Sequence, residues 1–374
     1  MTFCSTTRAV RIVLILLLVS SNAIGQLWSV QTSGLDTNLR GVSAKYTRIK
    51  GRQHLIVWAS GSNGVILRSR DEGSTWNRLT VPDGTDLDFR DIEAFGADTA
   101  YVMSSGEGSK SRIYKTTDGG KTWTLQYSDK RPGFFLDSLA CDSKIHCVAL
   151  SDPVEGKFLV LSTNDGAHWK ELARDKMPAI LNGEGAFAAS GTAIALCGRS
   201  NIYFGTGGGR AARVFHSNDS GRSWAAVETP IASGNASSGI FSIACGATLI
   251  VAVGGDYKEP GSAKGVAAFS YDFDATWRLA EQQPGGYRSA VAHFSQGDFV
   301  AVGTNGSDTG RYDDRKGVHW EHTDAMNLNA ASFDHREGWA VGPKGTVARF
   351  KTHFIFRANH GESSAAKPVQ TPRP

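Results

Sequence analysis

The chain has 374 residues, 40% of them hydrophobic and 43 of them Gly, with a formal charge of +4. The apolar fraction is that of an ordinary globular protein, and the Gly count suits one with many tight turns. The charge is too small to imply nucleic acid or an anionic membrane surface as a partner, and it falls to +2 if Arg8 and Arg11 leave with a leader.

Residues 1–25 read as a secretory signal. Arg8 and Arg11 form its basic start, Ile12 to Val19 its unbroken apolar run, and Ala23, Ile24 and Gly25 a small-residue cleavage site before Gln26. The run is too short to anchor the chain comfortably across a bilayer. The mature chain is therefore expected to be secreted or periplasmic. Cys4 departs with the leader, and Cys141, Cys147, Cys197 and Cys245 remain. An even number in an exported chain permits two disulfides, with three connectivities. Cys141 with Cys147 would staple a hairpin and leave Cys197 with Cys245. Four buried free thiols are the alternative.

From there the text is short, alternating and β-rich, with no long helical period. Residues 55–60 and 65–70 read as strands, as do 113–117, 158–163, 214–218 and 266–271. Several of these run into a box of the form S/T-x-D-x-G-x-x-W. Three copies are intact: Ser69, Asp71, Gly73 and Trp76; Thr116, Asp118, Gly120 and Trp123; Ser217, Asp219, Gly221 and Trp224. A variant puts Asn164 in the Asp place, between Ser162 and Gly166, with Trp169 after it. Two decayed copies end in Trp277 and Trp320. The box is turn chemistry. Its Asp accepts backbone N–H bonds, its Gly takes a shape that a Cβ resists, and its Trp opens the next strand. A repeated turn of this kind marks architecture rather than a substrate site.

The box Trp residues are spaced by 47, 46, 55, 53 and 43 residues, a period that belongs to propellers. The prediction is an all-β, seven-bladed β-propeller with four-stranded blades over residues 26–356. Six boxes account for six blades. After Trp320 come three more strands, near 329–333, 338–342 and 345–350, and no fourth. Trp28 lies one period before Trp76, so the strand at Leu27–Val30 is predicted to complete the last blade and close the ring. Residues 357–374 are polar and Pro-rich and are expected to be a disordered tail.

The blade-opening strands also rhyme, at Leu39 to Val42, Phe89 to Ile92, Phe135 to Ser138, Gly185 to Phe187, Gly239 to Phe241 and Tyr287 to Ala290. Arg40, Arg90 and Arg288 hold equivalent places there. They are expected to meet at the mouth of the central channel, with Asp91, Asp137 and Glu184 close by. Convergent guanidinium groups suit carboxylates or an acidic segment. The same three acids are the only candidates for glycan hydrolysis at the mouth. The Gly205–Gly209 run lacks the Lys-Ser/Thr of a phosphate loop, and the ten His residues show no ligand spacing, so neither cofactor nor metal is expected.

The boxes, the Trp period and the Leu/Phe-Arg-x-Val/Ile openings together resemble the photosystem II stability/assembly factor family. The stretches at Ser200–Gly208 and Asn235–Phe241 are similar to an exported bacterial branch of it. The resemblance implies a seven-bladed propeller that binds and assembles rather than catalyses. It also implies an Arg patch, here Arg40, Arg90 and Arg288, that contacts a protein partner on one face. In photosynthetic members that partner is an unassembled reaction-centre subunit. A monomeric, exported, non-enzymatic binding protein is the resulting expectation. The rival is a sialidase-like protein that binds or hydrolyses glycans.

Overall fold

A computed structural model describes residues 27–271, 276–295, 297–313 and 317–351. The leader expected at 1–25, the tail expected at 357–374 and the Asp place of the fifth box lie outside those residues.

Seven antiparallel sheets of four strands each make up the fold. Blade 1 comprises Leu39–Ile49, Arg52–Gly61, Val65–Ser69 and Asn77–Leu79, and blade 2 comprises Asp88–Ala94, Ala100–Ser105, Arg112–Thr116 and Thr124–Ser128. Blade 3 opens at Leu136–Cys141, blade 4 at Ile194–Cys197, blade 5 at Ser238–Cys245 and blade 6 at Ala290–Ser295. Blade 7 takes Ala330–Asp334, Glu337–Val341 and Thr346–Phe350 from the end of the chain and Trp28–Thr32 from its start. Trp28 pairs with Phe350 and Val30 with Ala348, so the ring is shut as predicted.

No single core fills the molecule. Seven apolar clusters lie between successive blades, because each sheet buries both faces against its neighbours. A cation-over-ring contact recurs at three of these interfaces. In the register of second and third strands, Trp58 faces Arg68, Tyr101 faces Lys115 and Trp339 faces Arg349. Each cation covers its ring at 5.2, 4.9 and 5.9 Å respectively. Each then reaches the box of the next blade. Arg68 donates to the carbonyls of Ala97 and Gly119, Lys115 to that of Gly166, and Arg349 to the Glu72 carboxylate. These side chains latch one blade to the next.

The intact boxes are closed from within. Thr116 Oγ1 donates to Asp118 and accepts from the Gly120 N–H at 2.8 Å, while Asp118 accepts from the Thr122 N–H and hydroxyl at 3.0 and 2.7 Å. Asp71 and Asp219 repeat the pattern on Thr75 and Ser223. Gly73, at φ 81°, has the Trp339 ring where a Cβ would stand, 2.1 Å away, so only Gly fits there.

The third box corrects the sequence reading. Asn164 does not occupy the Asp place. Thr163 Oγ1 donates to Asp165, and the Asp165 carboxylate accepts from the N–H groups of Ala167 and His168, both at 2.8 Å. This box is one residue shorter between Asp and Trp169, so alignment on Gly166 and Trp169 slips by one. Gly185 to Phe187 is a second correction, since blade 4 begins only at Ile194. The four cysteines form two bonds, Cys141 with Cys147 and Cys197 with Cys245. The first staples a hairpin, and the second ties the opening strands of blades 4 and 5.

Candidate functional site at the channel mouth

Strand register separates the two faces of the disc. Leu39 pairs with Gly61, beside the turn into Val65, whereas the box follows Ser69 at the far end of that strand. Arg40 and Arg90 therefore open on one face, the mouth face, and the boxes crowd the other.

The segment from Ala186 to Ala193 crosses the axis of the ring instead of forming a strand. The Ala188 carbonyl accepts from Arg40 Nη2 of blade 1 at 3.2 Å and from Arg90 Nη1 of blade 2 at 2.9 Å. Ser138 of blade 3 donates to the Gly191 carbonyl. Thr192 bonds Ser242 of blade 5 at 2.6 Å, and Ser190 donates to the Ser289 carbonyl beside blade 6 at 2.8 Å. Five blades thus hold one short loop. Small side chains make that fit: a Cβ on Gly191, at φ 76°, would lie 2.2 Å from the Asp91 carboxyl carbon. The channel is plugged near its mouth.

Two guanidinium groups converge on the plug. Arg90 is steadied by Asp88 at 2.7 Å, which in turn accepts from Ser62. Arg40 is half-buried, and its Nε finds no partner among the described residues. Burial lowers its pKa first, and the charge on Arg90 lowers it further. Beside them lies an aromatic patch that sequence reasoning did not single out. Phe187 stacks on Phe241 at 3.9 Å, Tyr287 meets Phe241 edge-on at 4.8 Å, and Tyr257, 45% exposed, forms the rim. The rhyme of Gly185–Phe187 with Gly239–Phe241 was the available signal. It marked two rings that meet, only the second of which lies on a strand.

The other expected site residues are elsewhere. Asp91 lies against the plug, buried, accepting from the Leu139 N–H at 2.7 Å, and burial followed by the nearby Glu93 charge pushes its pKa well up. Asp137 is 1% exposed, and burial first, then Asp152, raises it as well. Glu184 is locked by Arg213, Thr206 and the Leu181 N–H inside blade 4. Arg288 is buried with Asp308 and also holds Asn305 Oδ1 at 2.6 Å. Arg40 and Arg90 meet as expected; Arg288 does not join them, because Asp308, on the third strand of blade 6, holds it in the interior. With Asp91, Asp137 and Glu184 all at or below 5% exposure, none of them presents a carboxylate to a glycan at the mouth.

A family model described as photosynthesis system II assembly factor YCF48 matches residues 15–205, just over half of the chain. The chloroplastic photosystem II stability/assembly factor HCF136 of Arabidopsis thaliana is 27% identical over 126 residues, 33% of this chain and 29% of that protein. The curated relatives that match are spanned over less than a third of their own length. Among solved structures, YCF48 bound to D1 peptide superposes with a TM-score of 0.59 at 15% identity, covering 87% of this chain and 96% of that one. The GH74 xyloglucanase of Xanthomonas campestris reaches a TM-score of 0.55 at 18% identity, covering 86% of this chain and 53% of that one. At such identities these likenesses establish the fold alone.

Proposed function

This chain belongs to the photosystem II assembly factor YCF48 family, and from that membership we propose that it binds a peptide segment of a membrane-protein subunit on its mouth face, without chemistry. The observation that carries the reading is the convergence of Arg40 and Arg90 on the Ala188 carbonyl. Asp88 offsets the charge of Arg90 and the Ala188 carbonyl carries no full charge, so the pair retains one net positive charge for a carboxylate. Half-buried Phe187 and exposed Tyr257, both packed on the buried Phe241 ring, offer an apolar seat for the rest of a segment. With the axis plugged, such a segment would lie across the face rather than enter the channel. The structure of YCF48 with D1 peptide is the precedent. Two disulfides support export to an oxidising compartment.

The test is a titration of D1 peptide against the wild-type chain and against Arg40→Gln/Arg90→Gln. Glutamine can still donate to the Ala188 carbonyl but carries no charge. Binding by the wild type, lost in the double variant at an unchanged melting temperature, is the expected result. Equal binding by both proteins, or none by the wild type, overturns the reading.

A further inference from the structure

The latch between blades is missing at the interface of blades 3 and 4. In the register that pairs Trp58 with Arg68 and Tyr101 with Lys115, blade 3 pairs Val148 with Ser162. The receiving box of blade 4 is built like its fellows. Ser220, at φ 62°, donates its N–H to the Ser200 carbonyl at 2.9 Å, as Gly119 does to Asp98 at 2.8 Å in the latched blade 2. A latch side chain therefore has a place to go, and none fills it. What remains is a groove of about 610 Å³ between blades 3 and 4 on the box face, with Leu172, Leu196 and Ile202 among its walls.

The charges around this groove are unbalanced. Lys170, Arg199 and Arg222 line it, all exposed, and none forms an ion pair among the described residues. Its two carboxylates are already held, Asp142 by His146 at 2.8 Å and Glu171 by Arg131. The rim hairpin bearing Asp142 and His146 is fixed by the Cys141–Cys147 bond, so this wall is organised before anything binds.

We propose that the blade 3–blade 4 groove is a second docking site, on the face opposite Arg40 and Arg90, for an acidic peptide segment of a protein partner. Three unpaired cations attract carboxylates, and a groove of this size takes one or two side chains. The apolar wall rewards an aliphatic body between the acids, which a free phosphate does not have.

The probe is a fluorescein-labelled peptide of alternating Glu and Leu, read by anisotropy, with a Lys–Leu peptide as control. Wild type binds the acidic probe and not the basic one. Arg199→Glu/Arg222→Glu, both exposed and safe for folding, weakens binding by about tenfold or more. Ser162→Arg restores a latch, closes the groove and abolishes binding. Arg78→Gln, an exposed cation on the outer strand of blade 1 that belongs to neither site, changes nothing. Equal binding of the Lys–Leu peptide, survival of binding in Arg199→Glu/Arg222→Glu, loss of binding in Arg78→Gln, or displacement by millimolar inorganic phosphate each overturns the proposal.

Discussion

Arg288 and Asp308 form an ion pair in which neither side chain touches solvent. The guanidinium also donates to the Tyr287 carbonyl at 2.7 Å, and Asp308 accepts from the Gly285 N–H at 2.9 Å. Such a pair is balanced only while both partners are present. Arg288→Ala strands a buried carboxylate and is expected to cost about 3–5 kcal/mol. Urea denaturation measures this. A combined Arg288→Met/Asp308→Leu variant should recover most of the loss, and a single substitution without effect would show that the pair is solvated.

Asp165, and not Asn164, closes the third box. Asp165→Ala removes the acceptor for two backbone N–H groups and should lower the melting temperature. Asn164→Ala alters an exposed side chain and should leave it within error. A pair of thermal melts decides between them, and the reverse ranking would restore the alignment that places Asn164 in the Asp position.

The blade count was legible because each box Trp marks one turn of the same repeat, and Trp28 stands one period before Trp76. The third box was misread because the turn counts from the hydroxyl of Thr163 to its acid, whereas the eye aligns Gly and Trp. The plug was hidden for a different reason. Gly185 and Phe187 look like a strand opening, yet Ala188, Ala189, Ser190 and Gly191 after them are too small to face a sheet. They fit only where five blades leave a narrow axis. Arg288 shares its sequence place with Arg40, and no local pattern discloses that Asp308 awaits it from another strand.

Stability should depend on pH at both ends of the range. Asp118 is held at about 2 by the Thr122 N–H and hydroxyl, and Asp71 is lowered by Thr75. Their folded pKa values lie below the unfolded value of 3.8, so their contribution is full above it and fades as pH falls toward 2. Glu93 runs the other way. Burial raises it from 4.5 to about 7 despite the opposing charge of Lys45, so its contribution is full below 4.5 and is lost as pH rises through 7. Melting temperature should therefore decline between pH 5 and pH 8. Glu93→Gln should reduce that decline while leaving the acid limb unchanged. An identical pH profile in the variant would remove Glu93 from the account.

Trp28 carries the closure of the ring. It is fully buried in the cluster between blades 6 and 7, edge-on to Phe350 at 5.4 Å, and its Nε1 donates to Ser307 Oγ at 2.9 Å. One residue thus joins the first strand of the chain to two different blades. Trp28→Ala should cost about 3–5 kcal/mol by opening a cavity at that seam. Trp28→Phe keeps a ring but removes the N–H that Ser307 Oγ accepts, and should cost about 1 kcal/mol from the lost hydrogen bond plus the smaller volume. Chemical denaturation ranks the two. Deleting residues 27–32 goes further, because it bares the edge of the Thr346–Phe350 strand. The deleted form should self-associate on size-exclusion chromatography, and a monomer with wild-type stability would show that the ring does not need its first strand.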